Sequence, residues 1–292
     1  MEVSPLAHST LEALVSRIRP LLAAASAVAV ALSLAACASD TTPSGDASES
    51  PYVTEGKITI ATGEPAYYPY VIDDAPESGE GFEAAVAYAV AEQLGFAAED
   101  VVWVRSTFEQ AIAPGPKDFD LNIQQFSITE DRKANVDFST PYYSATQALV
   151  TITGSKADGV TTIAGLKDLM IGAMVGTTSA DTVEQVIAPT AGVQIYNNNE
   201  DVKNALEAGL IDAMALDLPT AFYTTGVEIE NSTIIGELPA AGISDEWGFV
   251  LSKGSPLTEK VSAAIEALRD SGKLQEITDE WLGANAGVLK LQ

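Results

Sequence analysis

Three observations on the sequence predict an α/β fold. Short apolar runs rich in Val and Ile alternate with helix-period segments from about residue 57 to about residue 282. The helical segments carry starts and stops with a physical basis: Thr129 stands ahead of Glu130 and Asp131, and Gly95, Gly209 and Gly272 follow apolar faces. The strand-like runs are separated by helices rather than by tight hairpin turns, which argues for parallel sheets.

Taken in order, Lys57–Thr62 reads as a strand. Gly81–Leu94 reads as a helix, with Phe82, Val86, Val90 and Leu94 four apart on one face. Val101–Val104 is a short strand and Phe108–Ala113 a short helix broken by Pro114 and Pro116. Asp120–Phe126 is a strand, after which Thr129 caps a helix. A second set begins with the β-branched run Ala148–Ile152, then a helix at Ile163–Leu169 and a strand at Met170–Val175. Gly176-Thr177-Thr178-Ser179 opens another helix. Val193–Tyr196 is a strand, Asn199–Ala208 a helix with an Asn cap, and Asp212–Leu216 a strand, with Pro219 placed where a helix begins. Trp247–Leu251 is a strand. Leu257, Val261, Ile265 and Leu268 form the face of a late helix, and Leu274–Leu282 is the last one.

The first 36 residues read as an export signal. Arg17 and Arg19 flank an uncharged run, Leu21–Ala36, that is short against the roughly 20 apolar residues a membrane-spanning helix needs. It fits a secretory apolar region followed by small residues at a cleavage site. Leu34-Ala35-Ala36-Cys37 resembles the bacterial lipobox, which implies that Cys37 is acylated and becomes the first residue of the mature chain. The plain alternative is an ordinary signal with an incidental cysteine, set against Cys37 being the single Cys of the sequence. Glu2 and Glu12 precede the basic flank, which leaves a translation start downstream of Met1 open. Residues 38–51 hold no large apolar side chain and read as a flexible tether with a coil dimension of roughly 20 Å.

Composition excludes much chemistry. Arg17, Arg19, Glu2 and Glu12 all precede Cys37, so the mature part keeps the whole formal charge of −26. Such a surface repels phosphate backbones and is a poor nucleic-acid partner; solubility is its simplest reading. The single His, His8, lies in the signal segment. The mature chain therefore has no Ser-His-Asp triad, no Cys-His pair, no His or Cys zinc site and no disulfide. No metal site and no cofactor are expected, and binding is favoured over catalysis.

Three segments carry a resemblance. The first is Gly81-Phe82-Glu83 leading to Leu94-Gly95. The second runs from Asp118-Phe119-Asp120 through Phe126-Ser127-Ile128-Thr129-Glu130-Asp131-Arg132 to Val136-Asp137-Phe138-Ser139-Thr140-Pro141-Tyr142-Tyr143. The third is Val175-Gly176-Thr177-Thr178, with Ile211-Asp212-Ala213 and Asp217. Together they resemble the extracellular solute-binding proteins of amino-acid ABC transporters, family 3, over nearly all of the chain after Cys37. The resemblance implies an α/β, two-lobed periplasmic-binding-protein-like fold of type II, with the ligand in the interlobe cleft. Residues 1–36 would be the signal and 37–53 the lipidated cysteine and tether. Lobe 1 would hold 54–142 plus 246–292, and 143–245 would hold the hinge and lobe 2. The crossings Tyr143–Gln147 and Gly242–Asp245 would form the hinge.

By the same resemblance, Arg132 binds the carboxylate of a free amino acid, a task that suits a planar guanidinium with two parallel donors. The competing reading is an exposed helix Arg paired with Glu130. Ser127 is expected as a hydroxyl ligand, and Gln125 and Phe126 as part of a loop offering backbone groups. Gly176, Thr177 and Thr178 would present free amides at a helix start. Asp217 would take the ammonium, with an N-cap for the Pro219 helix as the competing reading. Glu64, Tyr67 and Phe108 would meet the ligand side chain, core packing being the alternative for the two aromatics. Glu83-Ala84-Ala85 departs from the family's more acidic stretch, a change that bears on packing. The implied function is a lipid-anchored monomer that captures a polar amino acid, basic ones included, and delivers it to an ABC transporter permease at the outer face of the cytoplasmic membrane. The alternatives are an enzyme like the cyclohexadienyl dehydratases that share the fold, with Glu64 and Asp217 as available acids, or a ligand sensor for a partner protein.

Overall fold

Buried β-branched and aromatic strands build two separate five-stranded sheets in the computed structural model, which describes residues 50–242, 245–283 and 288–292. The predicted export segment, Cys37, the tether as far as residue 49, and Ile243 and Ser244 of the expected second hinge crossing lie outside the described residues.

The first sheet is assembled from β1 (Ile58–Thr62), β2 (Val101–Arg105), β3 (Leu121–Asn122), β4 (Val136–Phe138) and, from far along the chain, β12 (Val250–Ser252), in the order β2-β1-β3-β12-β4. Between these strands lie α1 (Phe82–Gln93), α2 (Phe108–Ile112) and α3 (Glu130–Lys133). The second sheet holds β6 (Gln147–Ile152), β7 (Ile171–Met174), β8 (Gln194–Tyr196), β9 (Ala213–Asp217) and β10 (Ser232–Glu237), in the order β10-β6-β9-β7-β8. Its helices are α4 (Ile163–Leu166), α5 (Thr178–Thr182), α6 (Asn199–Glu207) and α7 (Leu218–Tyr223). The chain crosses between the sheets through β5 (Tyr143–Ser144) and returns through β11 (Glu246–Trp247), which pair antiparallel. Two final helices, α8 (Thr258–Asp270) and α9 (Lys273–Trp281), pack on α1.

The expectation of parallel sheets holds for β1 with β2 and β3, and for β7 with β8 and β9. It fails for β12 and β6, which run antiparallel to their neighbours because each enters its sheet from a crossing rather than from a helical return. Strand β10, also antiparallel, was not expected; its Thr233-Ile234-Ile235 run was the available signal. The expected strand Trp247–Leu251 is split into β11 and β12. Asp120–Phe126 shortens to β3, because Phe126–Ile128 turn aside to bond the returning crossing instead: Ile128 N–H donates to Glu246 O at 2.8 Å and Gly248 N–H to Phe126 O at 3.1 Å.

Local chemistry explains the helix starts. The Thr107, Thr129, Thr162, Thr177 and Asn198 side chains each accept from a backbone N–H one turn on. Helix α1 starts without such a cap. Gly81 holds φ 106°, and a Cβ there would sit 2.5 Å from Tyr70 O and 2.8 Å from Val71 Cα. The close backbone approach lets Glu83 and Ala84 donate to Tyr70 O, which satisfies the first amides of the helix.

That start buries an acid. Glu83 has no exposed surface and accepts from Gln125 N–H at 2.8 Å, from the Gln125 side-chain amide and from the Tyr142 hydroxyl. Burial raises its pKa from an ordinary 4.5 to about 7, against the lowering effect of these donors. Behind it, Trp247 is fully buried against Tyr143 at 4.9 Å, Tyr70 at 5.6 Å and Tyr142 at 6.4 Å. The crossings thus pass through an aromatic cluster in which each large side chain contributes about 1.5–3 kcal/mol by burial.

The chain end departs from the expected boundary that gave all of 246–292 to lobe 1. Glu237 N–H donates to Leu289 O at 2.7 Å, Leu291 N–H donates to Glu237 O at 2.9 Å, and Leu291 is buried among second-sheet residues. The edge of β10 offers free backbone groups there, and Gly236 leaves room for Leu291.

Gly81→Ala is expected to destabilise the protein by about 1–3 kcal/mol through backbone strain and the Tyr70 clash, measurable by denaturant unfolding. Because the folded state holds the Glu83 proton more tightly than the unfolded chain, stability from this group is present below pH 4.5 and falls as pH rises through about 7. Its span is up to roughly 3 kcal/mol. Glu83→Gln should flatten that fall; an unchanged pH slope would count against the buried acid as its source.

Candidate functional site

The two sheets face each other across a cleft of about 590 Å³ lined by Arg132, Gly176, Thr178, Asp181 and Gln185, among others. Contacts span it. Arg132 Nη2 donates to Gly176 O at 2.9 Å, and Ser127 Oγ lies 3.1 Å from Thr178 Oγ1. Tyr70 Oη lies 2.8 Å from Thr220 Oγ1, and the rings of Tyr68 and Tyr223 stack at 4.1 Å. The lobes are therefore closed on each other.

Arg132 is the centre of this arrangement. Thr129 caps α3 by accepting from Arg132 N–H at 3.3 Å, so the guanidinium leaves the first turn of a short helix in a set direction. It is 8 % exposed, which excludes the surface-pair reading; Glu130 pairs with Lys133 instead. Arg132 Nη1 donates to Ser127 O at 2.6 Å, and Cζ stands 5.2 Å from the Phe108 ring centroid. Burial lowers its pKa, and the charges of Asp181, Asp217 and Asp245 oppose that fall.

The expected residues separate into groups. Ser127, Arg132, Gly176 and Thr178 converge. Gly176, at φ 69° with open space around it, turns the chain from β7 so that its carbonyl faces Arg132. Thr177 is turned away: its hydroxyl donates to Met174 O at 2.8 Å and accepts from Ala180 N–H at 3.3 Å, so it sets the start of α5. Phe108 and Phe126 stack at 4.7 Å and support the guanidinium from behind. Gln125, at φ 50°, commits its amide and side chain to Glu83. Tyr67 lies beside Glu200, Lys203 and Thr220 across the cleft, its hydroxyl buried, with burial the main cause of a raised pKa. Glu64 is exposed, and no hydrogen bond or ion pair among the described residues brings it to Arg132 or Asp217.

Asp217 ends β9 at the N-cap position of α7, but its side chain makes no capping hydrogen bond there. Its Oδ1 instead accepts from Gln147 Nε2 at 2.7 Å. Burial, then the neighbouring Asp245 charge, raises its pKa to about 7, while Gln147 and Arg132 pull the other way. Sequence reasoning did not single out Gln147, Tyr70 or Asp245. Gln147 and Asp245 stood in the expected hinge segments, so a polar pair at the two crossings was the legible signal. Tyr70 follows a proline-rich loop that gave none.

The comparisons agree with this geometry. The model of the bacterial extracellular solute-binding proteins, family 3, matches residues 58–284. The ABC transporter glutamine-binding protein GlnH of Bacillus subtilis is 29 % identical over 212 residues, covering 71 % of this chain and 75 % of that one. The L-arginine-binding protein of Pseudomonas aeruginosa is 29 % identical over 226 residues, covering 75 % and 85 %. Among solved structures, an ancestral arginine-binding protein bound to glutamine superposes with a TM-score of 0.66 at 30 % identity, over 79 % of this chain and all of that one. Each is named for what it binds. With two mixed α/β sheets closing on a buried arginine, and a family match over most of its length, this chain belongs to the bacterial extracellular solute-binding proteins, family 3.

Proposed function

We propose that this protein captures a free amino acid with a cationic side chain between its lobes and delivers it to an ABC transporter permease. The observation that carries the reading is the charge of the cleft: one buried guanidinium, Arg132, stands against Asp217 and Asp245, which share the Gln147 amide, and against Asp181 at the cleft surface. Arg132 and the amides near Thr178 take the ligand carboxylate, and Asp217 takes its ammonium. A side-chain cation offsets the charge that remains. The glutamine- and arginine-binding relatives make an amide side chain the competing ligand, and the acid excess favours the cation.

The closed form makes contacts to both lobes at once, so ligand binding biases the equilibrium towards closure. Lipid on Cys37 keeps the receptor at the outer face of the membrane, each buried CH₂ adding about 0.8 kcal/mol of anchoring. The tether lets a monomer turn to meet its permease. Catalysis finds less support: Asp217 is engaged by Gln147, and Glu64, the other acid considered for it, is exposed.

Arg132→Ala is expected to lose about 2–5 kcal/mol of amino-acid binding in calorimetry, the scale for unpairing a buried charge. Unchanged affinity would sink the assignment. Cys37→Ser should keep ligand affinity while the protein leaves the membrane fraction; continued acyl-dependent fractionation would refute the lipobox reading.

A further inference from the structure

We infer that Asp245 sets the charge selectivity of the cleft, acting with Gln147 as a second acid beside Asp217. The inference deepens the amino-acid reading above and depends on it.

Asp245 stands where the chain returns from the second sheet. Its backbone carbonyl accepts from Ala145 N–H at 2.9 Å, which fixes it to the opposite crossing. Its carboxylate accepts from Gln147 Nε2 at 3.2 Å, and the neighbouring Thr178 side chain opposes the rise in its pKa that burial causes. Gln147 is 2 % exposed, and the same Nε2 donates to Asp217 at 2.7 Å. One amide nitrogen therefore serves two carboxylates on different segments. The Gln147 Oε1 is buried without a hydrogen-bond partner among the described residues. Among the described residues, Asp217, Asp245 and that oxygen form a group of acceptors short of donors, and the Arg132 charge acts on both acids. Buried acceptors without donors are costly to keep, and a ligand that brings N–H groups and positive charge relieves them.

Counting formal charge gives the selectivity. Once a ligand ammonium holds Asp217 ionised, the group of Arg132, Asp217 and Asp245 carries one net negative charge. A zwitterion with a neutral side chain leaves it there, whereas a monocationic amino acid cancels it. Asp181 adds to the acid side from exposed surface at the cleft, and Glu83 lies behind Asp217 with its own donors. Neither reverses the sign. Water screens such an imbalance poorly in a closed cleft, so a charge that touches no ligand side chain still discriminates between ligands.

The test is calorimetric titration of the purified protein with L-arginine and with L-glutamine, in the native sequence and in Asp245→Asn and Asp245→Glu. The native protein is expected to prefer arginine. Asp245→Asn, which preserves shape and one acceptor oxygen while removing the charge, should lower the arginine-to-glutamine affinity ratio at least tenfold. Asp245→Glu should keep the ratio near the native one. An unchanged ratio in Asp245→Asn, including an equal loss for both ligands, would overturn the inference and leave the amino-acid reading standing. Equal loss of the ratio in Asp245→Glu would also overturn it, because charge would then not be the cause. A native protein that binds neither amino acid would overturn the reading beneath it and this inference together.

Discussion

A guanidinium taken out of water must find acceptors, and Arg132 finds them on both lobes. Ser127 O in its own lobe and Gly176 O across the cleft each accept from it. Much of the neighbouring structure follows from that requirement. Thr129 starts α3 where the side chain can reach the cleft, Gly176 takes a left-handed turn that presents its carbonyl, and the stacked pair Phe108 and Phe126 gives the cation an apolar backing. Removing a partner from a buried charge is far more destabilising than the pair is stabilising.

The loop that carries Ser127 is held from the other side by an acid. Glu83 ties Gln125 to α1 and to Tyr142, next to the aromatic cluster around Trp247. The loop that carries Ser127 and the residues of the crossings thus share one buried network. Hydrogen bonds and packed rings join the crossings to that loop, and Gln147 with Asp245 links the two crossings to Asp217 directly.

The sequence was informative wherever chemistry is local. Apolar spacing located α1 and α8, and hydroxyl and amide caps located the starts of α3 and α6. The motif around Ser127 and Arg132 was recognisable because its residue types and intervals are unusual together. Periodicity carries no direction, so the antiparallel entry of β6 and β12 was hidden. The C-terminal segment could not be placed from its own residues, because its partner is the edge of β10, more than fifty residues away.

Sequence by itself determined the α/β class, the family resemblance and the absence of histidine and cysteine chemistry after Cys37, and it singled out Ser127, Arg132, Thr178 and Asp217 as candidate site residues. These depend on residue type and short spacing. Only the tertiary structure decided that Thr177 and Gln125 are spent on shaping backbone, that Glu64 faces solvent, and that Asp217 reaches Gln147 rather than capping α7. It alone brought Asp245 from the far crossing to Thr178. A side chain's partner across the cleft is set by how two sheets close on each other, and that closure is invisible to any pattern within a single segment.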